Sequence, residues 1–208
     1  MPVRPTLFSI ILALLLSVVT LSIRAATSIE QMAVADVSEW FPQATALDNS
    51  QHELPYRLVM AGDQVIGAVF LSSEINPIPA YSGKPITTLI AIDTRAHIAG
   101  VAVVAHEEPI LVIGIEAHSL DHFSQQYIGV NSQAKVRVNA AGREGYHSVD
   151  GISGATITVM VLNRSIMVSA QKVANSLGLA TQGWSHSAVV AASSRNELGA
   201  ALAAAFGY

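Results

Sequence analysis

The length, composition and charge of the chain exclude several classes of protein. Its 208 residues suit one domain that buries a substantial core, and the absence of cysteine excludes disulfides, thiolate zinc sites and cysteine-ligated iron–sulfur clusters. The net charge of -4 is accompanied by no run of basic residues, so we expect this domain not to bind nucleic acid.

The N-terminal segment has the features of an export signal. An apolar run from Leu7 to Ile23 follows Arg4 and ends just before Ala25 and Ala26. The run is also close to the roughly 17 residues that can just span a bilayer. We therefore interpret residues 1–26 as a signal peptide or an N-terminal membrane anchor, and the sequence leaves these two outcomes open. Either outcome places the rest of the chain outside the cytoplasm.

The first half of the exported chain predicts one helix and four strands. The stretch "IEQMAVADVSEWF" (29–41) has apolar residues near helical spacing and predicts a short opening helix. Two strand-rich runs in "PYRLVMAGDQVIGAVFLSS" (55–73) flank Gly62-Asp63, which is a hairpin signal. The stretch "PITTLIAIDTRAHIAGVAVVAHEEPI" (85–110) repeats this arrangement around a polar break from Asp93 to His97.

The second half predicts a helix, a strand and a longer helix. "SLDHFSQQYIG" (119–129) favours a short helix capped by Ser119 and stopped by Gly129, and "AKVRV" (134–138) alternates as a strand does. A longer helix, ended by Gly178, is predicted from apolar residues in steps of three and four: Val159, Leu162, Ile166, Ala170, Val173 and Leu177. Its opposite face carries Arg164, Gln171 and Asn175.

These elements predict an α+β fold, with an antiparallel sheet flanked by helices. We assign residues 27–180 to this domain and residues 181–208 to a C-terminal tail. The chain's alanine-rich end, "ELGAALAAAFGY", is too short to cross a bilayer.

Small and hydroxyl residues concentrate in "DGISGAT" (150–156), at the mouth of the long helix. Free backbone N–H groups at a helix N-terminus favour a bound anion such as phosphate, and small residues let a ligand approach the backbone closely. From spacing alone, the simpler explanation is that Ser153 or Thr156 caps the helix. Two other motifs do not match. A Walker phosphate loop needs Lys before its Ser or Thr, and a nucleophile elbow needs Gly where Ala155 stands.

The motif resembles one that attaches a flavin. "DGISGATIT" is similar to the flavinylation motif of the FMN-binding domains found in the NosR/NirI regulators and in the flavoprotein subunits of the Rnf and sodium-pumping Nqr complexes. That pattern is an acid, two residues, Ser or Thr, Gly, Ala and Thr, and the matching residues are Asp150, Ser153, Gly154, Ala155 and Thr156. "AYSGKPI" (80–86) and "VAVVAHEEPIL" (101–111) resemble further stretches of the NosR/NirI branch, so the resemblance covers about residues 40–177.

The resemblance implies a cofactor and roles for particular residues. Thr156 would carry FMN covalently through a phosphoester, transferred from FAD by a separate, Mg-dependent flavin transferase. Asp150 would belong to the site that the transferase recognises, or cap the helix locally. Tyr81 and Ser82 are the candidates for lining the flavin ring.

Other polar residues near the motif have weaker claims. His106 and Glu107 either approach the flavin or lie in a solvated turn, and Tyr146 and His147 are candidates to flank the phosphate or ribityl chain. No catalytic residue is predicted. No metal site is predicted either, because the pair His118 and His122 lacks the glutamate of a zinc-hydrolase helix and a third ligand.

The resemblance also implies a function and a location. We expect an exported flavoprotein domain, in the periplasm or at the outer face of the inner membrane, that exchanges electrons with a partner protein or acts in redox regulation. By resemblance, its pathway is nitrous-oxide reductase maturation and expression in denitrification. The alternative is an exported binding or interaction domain that keeps the fold without the flavin. Full members of the NosR/NirI branch continue into membrane helices and a cysteine-rich region, so the sequence leaves open whether this chain is a fragment.

Overall fold

The predicted antiparallel sheet is the centre of the fold, and it has five strands. The computed structural model describes residues 28–109, 114–116 and 118–179, so the predicted export segment and C-terminal tail lie outside the described residues. The strands are paired in chain order, and they are β1 (Ala46–Leu47), β2 (Tyr56–Ala61), β3 (Gln64–Leu71), β4 (Thr87–Asp93) and β5 (Ile98–Ala105). The two predicted hairpins, β2–β3 and β4–β5, are therefore confirmed, while β1 is an edge strand too short to predict.

Local chemistry closes both hairpins. Gly62 has a φ of 60°, a left-handed conformation that glycine adopts readily, and it lies between the paired ends of β2 and β3. In the second hairpin the Asp93 carboxylate accepts the N–H groups of Arg95 and His97, both at 2.8 Å. The polar break of the sequence is thus a turn held by its own aspartate.

Both faces of the sheet are buried. Along β3, Ala68 and Phe70 point into the larger hydrophobic cluster, whereas Val69 and Leu71 point into a second cluster on the other face. Successive side chains of a strand point to opposite faces, so a strand covered on both sides is a nearly continuous apolar run. This explains why the strands of this chain show little polar alternation.

A long helix, α3 (Thr156–Ser176), covers the first face. Its apolar stripe is buried and its polar face is exposed at Arg164, Gln171 and Asn175, which confirms the predicted helix and its register. Two shorter helices are α1 (Ser72–Ile75) and α2 (Ser119–Gln125). The prediction that Ser119 caps α2 is wrong, because the cap position is His118 and Ser119 is already helical. No helix in the described ranges is long and apolar enough to cross a membrane.

The N-terminal segment covers the second face without forming the predicted opening helix. It contains two short 3₁₀ turns, Ile29–Gln31 and Val34–Asp36, separated by extended backbone at Met32 and Ala33. The Asp36 carboxylate accepts the Ala33 N–H at 2.7 Å and so begins a new turn at that point. A short acidic side chain that bonds the nearby backbone competes with a continuous helix, and this bond contributes to the failure of the helix prediction.

Trp40 anchors this segment directly on a glycine of the sheet. A Cβ atom built on Gly100 would lie 2.0 Å from Trp40 Cδ2, so the indole ring occupies the space that any other residue would fill. A glycine inside a strand commonly marks such a close approach.

A small parallel pair of strands leads into the motif. The strands β6 (Val136–Val138) and β7 (His147–Val149) pair with each other and not with the main sheet. The predicted strand at 134–138 is thus confirmed over three residues, although its partner is β7. The pair ends one residue before Asp150 and so fixes where the motif begins.

Candidate functional site

Two amide side chains hold the start of the "DGISGAT" motif. Gln126, which follows α2, accepts the Asp150 N–H at 2.7 Å and donates to the Asp150 carbonyl at 3.1 Å. Asn139, which follows β6, accepts the Gly151 N–H at 2.8 Å. The backbone of the motif is therefore fixed from two sides before it reaches the helix. Sequence reasoning missed both amides, because nothing local distinguishes them from surface residues.

A tight turn then delivers the chain to α3. Gly154 has a φ of 81°, in the left-handed region that disfavours residues with a Cβ atom. The next residue, Ala155, is buried at the cap position, and its N–H bonds the carbonyl of Ile152 at 3.1 Å. The Gly-Ala pair thus turns the chain sharply and seats it against the core, which explains the small residues of the motif.

The N-terminal end of α3 is open to a ligand. No side chain caps it, and within the described part of the chain the N–H groups of Thr156, Ile157 and Thr158 have no acceptor. The capping role considered for Ser153, Thr156 or Asp150 is therefore not observed. Unpaired N–H groups and the helix dipole together favour an anion at this point.

A cavity of about 380 Å³ opens at the same place. This volume lies within the usual range for small-molecule sites. Its described walls are Tyr81, Pro109, Gly154, Ala155, Thr156, Ile157 and Thr158. The structure therefore brings together four of the predicted site residues, Tyr81, Gly154, Ala155 and Thr156, from two distant parts of the chain. Asp150 and Ser153 are exposed and are not among the described walls of this cavity.

The two threonines of the motif region have different surroundings. Thr156 is exposed, and its hydroxyl bonds no other described residue. Thr158 is only 4% exposed, and its hydroxyl donates to Glu108 Oε2 at 2.5 Å. Residues two apart on a helix differ by about 200° in direction, so one hydroxyl faces out while the other faces in. Of the two, Thr156 is the one that offers a free hydroxyl.

Glu108 is a buried carboxylate behind the cavity wall, and sequence reasoning missed it. It is 5% exposed, and its Oε1 accepts the Ser82 N–H at 2.8 Å while Oε2 accepts Thr158. Burial raises the pKa of Glu108, but the hydrogen bonds from Thr158 and Ser82 outweigh burial, so the pKa lies below its usual value. The carboxylate is therefore ionised at neutral pH. Ser82 is not among the described walls of the cavity and is linked to them through Glu108.

The neighbours of Glu108 have ordinary roles. His106 Nδ1 accepts the N–H of Glu108 at 3.2 Å. Glu107 is exposed and pairs with Lys84 Nζ at 2.6 Å on the surface. Both residues follow the end of β5, with His106 half-buried and Glu107 exposed, and neither is among the described walls of the cavity.

Tyr146 and His147 are not among the described walls of the cavity. The Tyr146 ring stacks under the guanidinium of Arg137, 4.7 Å from the ring centroid, with Arg143 at 5.8 Å. His147 begins β7 and is exposed. In the described ranges no three acidic or histidine side chains are grouped as metal ligands, and His118 pairs instead with Glu116 at 3.1 Å.

Comparison with known proteins finds a family model and several relatives that match this chain. A family model for the FMN-binding domain matches residues 81–169, a range that begins at Tyr81 and includes the motif. The chain is 37% identical over 153 residues to the regulatory protein NosR of Pseudomonas aeruginosa, covering 74% of this chain and 21% of that protein. It is 35% identical over 147 residues to NosR of Stutzerimonas stutzeri, covering 71% and 20%.

A third relative extends the similarity beyond NosR. The protein NirI of Paracoccus denitrificans is 29% identical over 133 residues, covering 64% of this chain and 19% of that protein. The chain thus spans about a fifth of the length of the curated relatives it matches.

Proposed function

Because this chain belongs to the FMN-binding domain family, in the branch that includes NosR and NirI, we propose that it is an exported flavoprotein domain carrying FMN covalently on Thr156. The observation that carries the proposal is the exposed Thr156 hydroxyl at the rim of the cavity, beside the open end of α3. The domain would serve in electron transfer or redox regulation.

The residues at the helix mouth fit a phosphoester. A flavin transferase would join Thr156 Oγ to the FMN phosphorus of FAD, break the pyrophosphate bond, release AMP and pass the hydroxyl proton to solvent. The resulting phosphodiester keeps one negative charge, which the N–H groups of Thr156, Ile157 and Thr158 can stabilise. No cationic side chain is needed at this position. Asp150, exposed and free of a capping bond, is available for recognition by the transferase.

The cavity walls would orient the cofactor. When bound, FMN supplies the electron-transfer chemistry, and the protein contributes binding, orientation and exclusion of water. Tyr81 is 66% exposed and lines the same cavity as the helix mouth, where its ring can lie against a flavin ring. Pro109 and the backbone of Gly154 complete this wall without charge.

A covalent link suits a location outside the cytoplasm. A diffusible FMN would be lost from an exported protein, whereas an esterified one cannot exchange. We place the domain in the periplasm or at the outer face of the inner membrane, with a partner protein that gives or takes electrons. Two relatives are named as regulatory proteins, which supports a role in regulation. We propose the nitrous-oxide reductase branch of denitrification as the pathway.

Co-expression with a flavin transferase tests the attachment. The exported wild-type protein should gain the mass of one FMN less water, and its denatured band should fluoresce as flavin does. The control is a known family member modified in the same cells. If that member is modified and this protein is not, the domain is better explained as a binding domain of the same fold without flavin.

Fusion to a compartment reporter tests the location. Residues 1–40 joined to a reporter that is active only after export should give activity, because the apolar run of residues 7–23 resembles an export signal. The mass of the exported protein distinguishes a cleaved signal from a retained anchor. Activity of a matched cytoplasmic reporter alone would remove the reason for a covalent flavin.

A further inference from the structure

Glu108 joins the two walls of the cavity. Its Oε1 accepts the N–H of Ser82, next to Tyr81, and its Oε2 accepts the hydroxyl of Thr158, in the first turn of α3 with Thr156. Tyr81 and Thr156 both line the cavity, and each lies within two residues of a group that Glu108 bonds. One buried carboxylate therefore contacts the wall that would face the flavin ring and the wall that would hold its phosphate.

The loop that carries Tyr81 is otherwise bonded mainly to itself. The N–H of Ala80 donates to the Lys84 carbonyl at 2.9 Å, and the N–H of Gly83 donates to the Ala80 carbonyl at 3.0 Å. The Lys84 side chain also pairs with Glu107, but both groups are about 60% exposed. Exposed ion pairs contribute little to stability, whereas a buried carboxylate that accepts two hydrogen bonds makes strong, directional contacts.

We propose that Glu108 is the positioning residue of the flavin site, whose carboxylate holds the Tyr81 loop at a set distance from the first turn of α3. This inference rests on the proposed function for its purpose, but its structural part does not need the flavin. Loss of the carboxylate would leave the Ser82 N–H and the Thr158 hydroxyl without their acceptor. The self-bonded loop would then move as a unit relative to the helix, and the space between Tyr81 and Thr156 would vary.

Amide exchange in the flavin-free protein is the first test. In Glu108→Ala, exchange at Ser82 should be about tenfold faster than in the wild type, since the loss of a charge-assisted bond lowers the free energy of local opening. Glu108→Gln keeps the side-chain volume and one acceptor, so Ser82 in this variant should exchange at a rate between those of the wild type and Glu108→Ala. This variant also guards against an effect of general misfolding. Glu107→Ala, which removes the neighbouring exposed carboxylate, is the matched control and should leave the Ser82 rate unchanged.

Fluorescence anisotropy of the loaded protein is the second test. The bound flavin should be more mobile, and its anisotropy therefore lower, in Glu108→Ala and in Thr158→Val. Valine removes the inward hydroxyl of Thr158 and keeps the shape of the side chain. Thr158→Ser restores a hydroxyl and should restore the wild-type anisotropy. If Thr158 only stabilised the fold, serine at this position would not be expected to restore the anisotropy of the flavin.

The outcomes separate this proposal from the proposed function. Ser82 exchange and flavin anisotropy that are the same in Glu108→Ala as in Glu107→Ala would overturn the positioning role. If the wild type takes up no flavin, the proposed function fails, and the exchange experiment still decides whether Glu108 holds the loop.

Discussion

Replacing Thr156 by alanine is expected to abolish the covalent flavin adduct completely while the domain remains folded. Alanine offers no hydroxyl to esterify, and Thr156 is exposed at the first position of α3, where its side chain makes no described hydrogen bond. Alanine is also a good helix former, so the stability of α3 should change little. Intact mass and in-gel flavin fluorescence of the co-expressed protein measure the adduct, and the thermal midpoint measures the fold.

Two neighbouring hydroxyls serve as controls for this result. Ser153→Ala keeps the Thr156 hydroxyl and should still be modified, with slower transfer if the transferase recognises Ser153. Thr158→Ser keeps the bond to Glu108 and should be modified as the wild type is. An adduct that survives in Thr156→Ala and disappears in Thr158→Ala would leave the family assignment intact and move the acceptor to Thr158.

Replacing Leu162 by alanine is expected to lower the free energy of unfolding by about 2–5 kcal/mol. Leu162 is fully buried between α3 and the sheet, so its truncation removes apolar contacts and leaves a cavity. Denaturant titration gives the free energy of unfolding, and an unchanged slope of the transition would show that the change lies in stability alone.

Arg164→Ala is the matched control on the same helix. Arg164 is exposed two residues further along, and surface substitutions of this kind usually change stability by no more than about 0.5 kcal/mol. If Arg164→Ala lowered the free energy of unfolding more than Leu162→Ala does, the result would contradict the register of α3. It would also remove the argument that places Thr156 at the helix mouth.

The elements that could be predicted are those with a strong local pattern. The spacing of Val159, Leu162 and Ile166 shows one buried face, and the observed helix has that register. The dipeptide at Gly62 marks a hairpin because few residues adopt its backbone conformation. In both cases the physical cause acts within a few residues of chain, so one sequence is enough to see it.

The opening segment could not be predicted because tertiary contacts decide its shape. Its apolar spacing is compatible with a helix, yet the segment lies over the sheet, with Trp40 on Gly100 and Asp36 bonding Ala33. Buried contact with two strands outweighs weak helix propensity over this length.

The candidate site was predictable only where its motif is contiguous. Residues 150–156 resemble a family pattern as a string, whereas Glu108, Gln126 and Asn139 act through bonds to residues far along the chain. A glutamate next to an exposed glutamate carries no local sign that it is the buried one. Sequence reasoning therefore considered Glu107 and left Glu108 out.

The order in which contacts form during folding follows from this topology. The five strands pair with their neighbours in the chain, so the sheet can grow from short loop closures that are fast and cost little entropy. The bond from Thr158 to Glu108 spans 50 residues, and the bonds from Gln126 to Asp150 span 24. The hydroxyl of Thr156 should therefore acquire its native surroundings in a late folding step, and a partly folded chain would present the motif as a flexible peptide instead of a turn at an open helix.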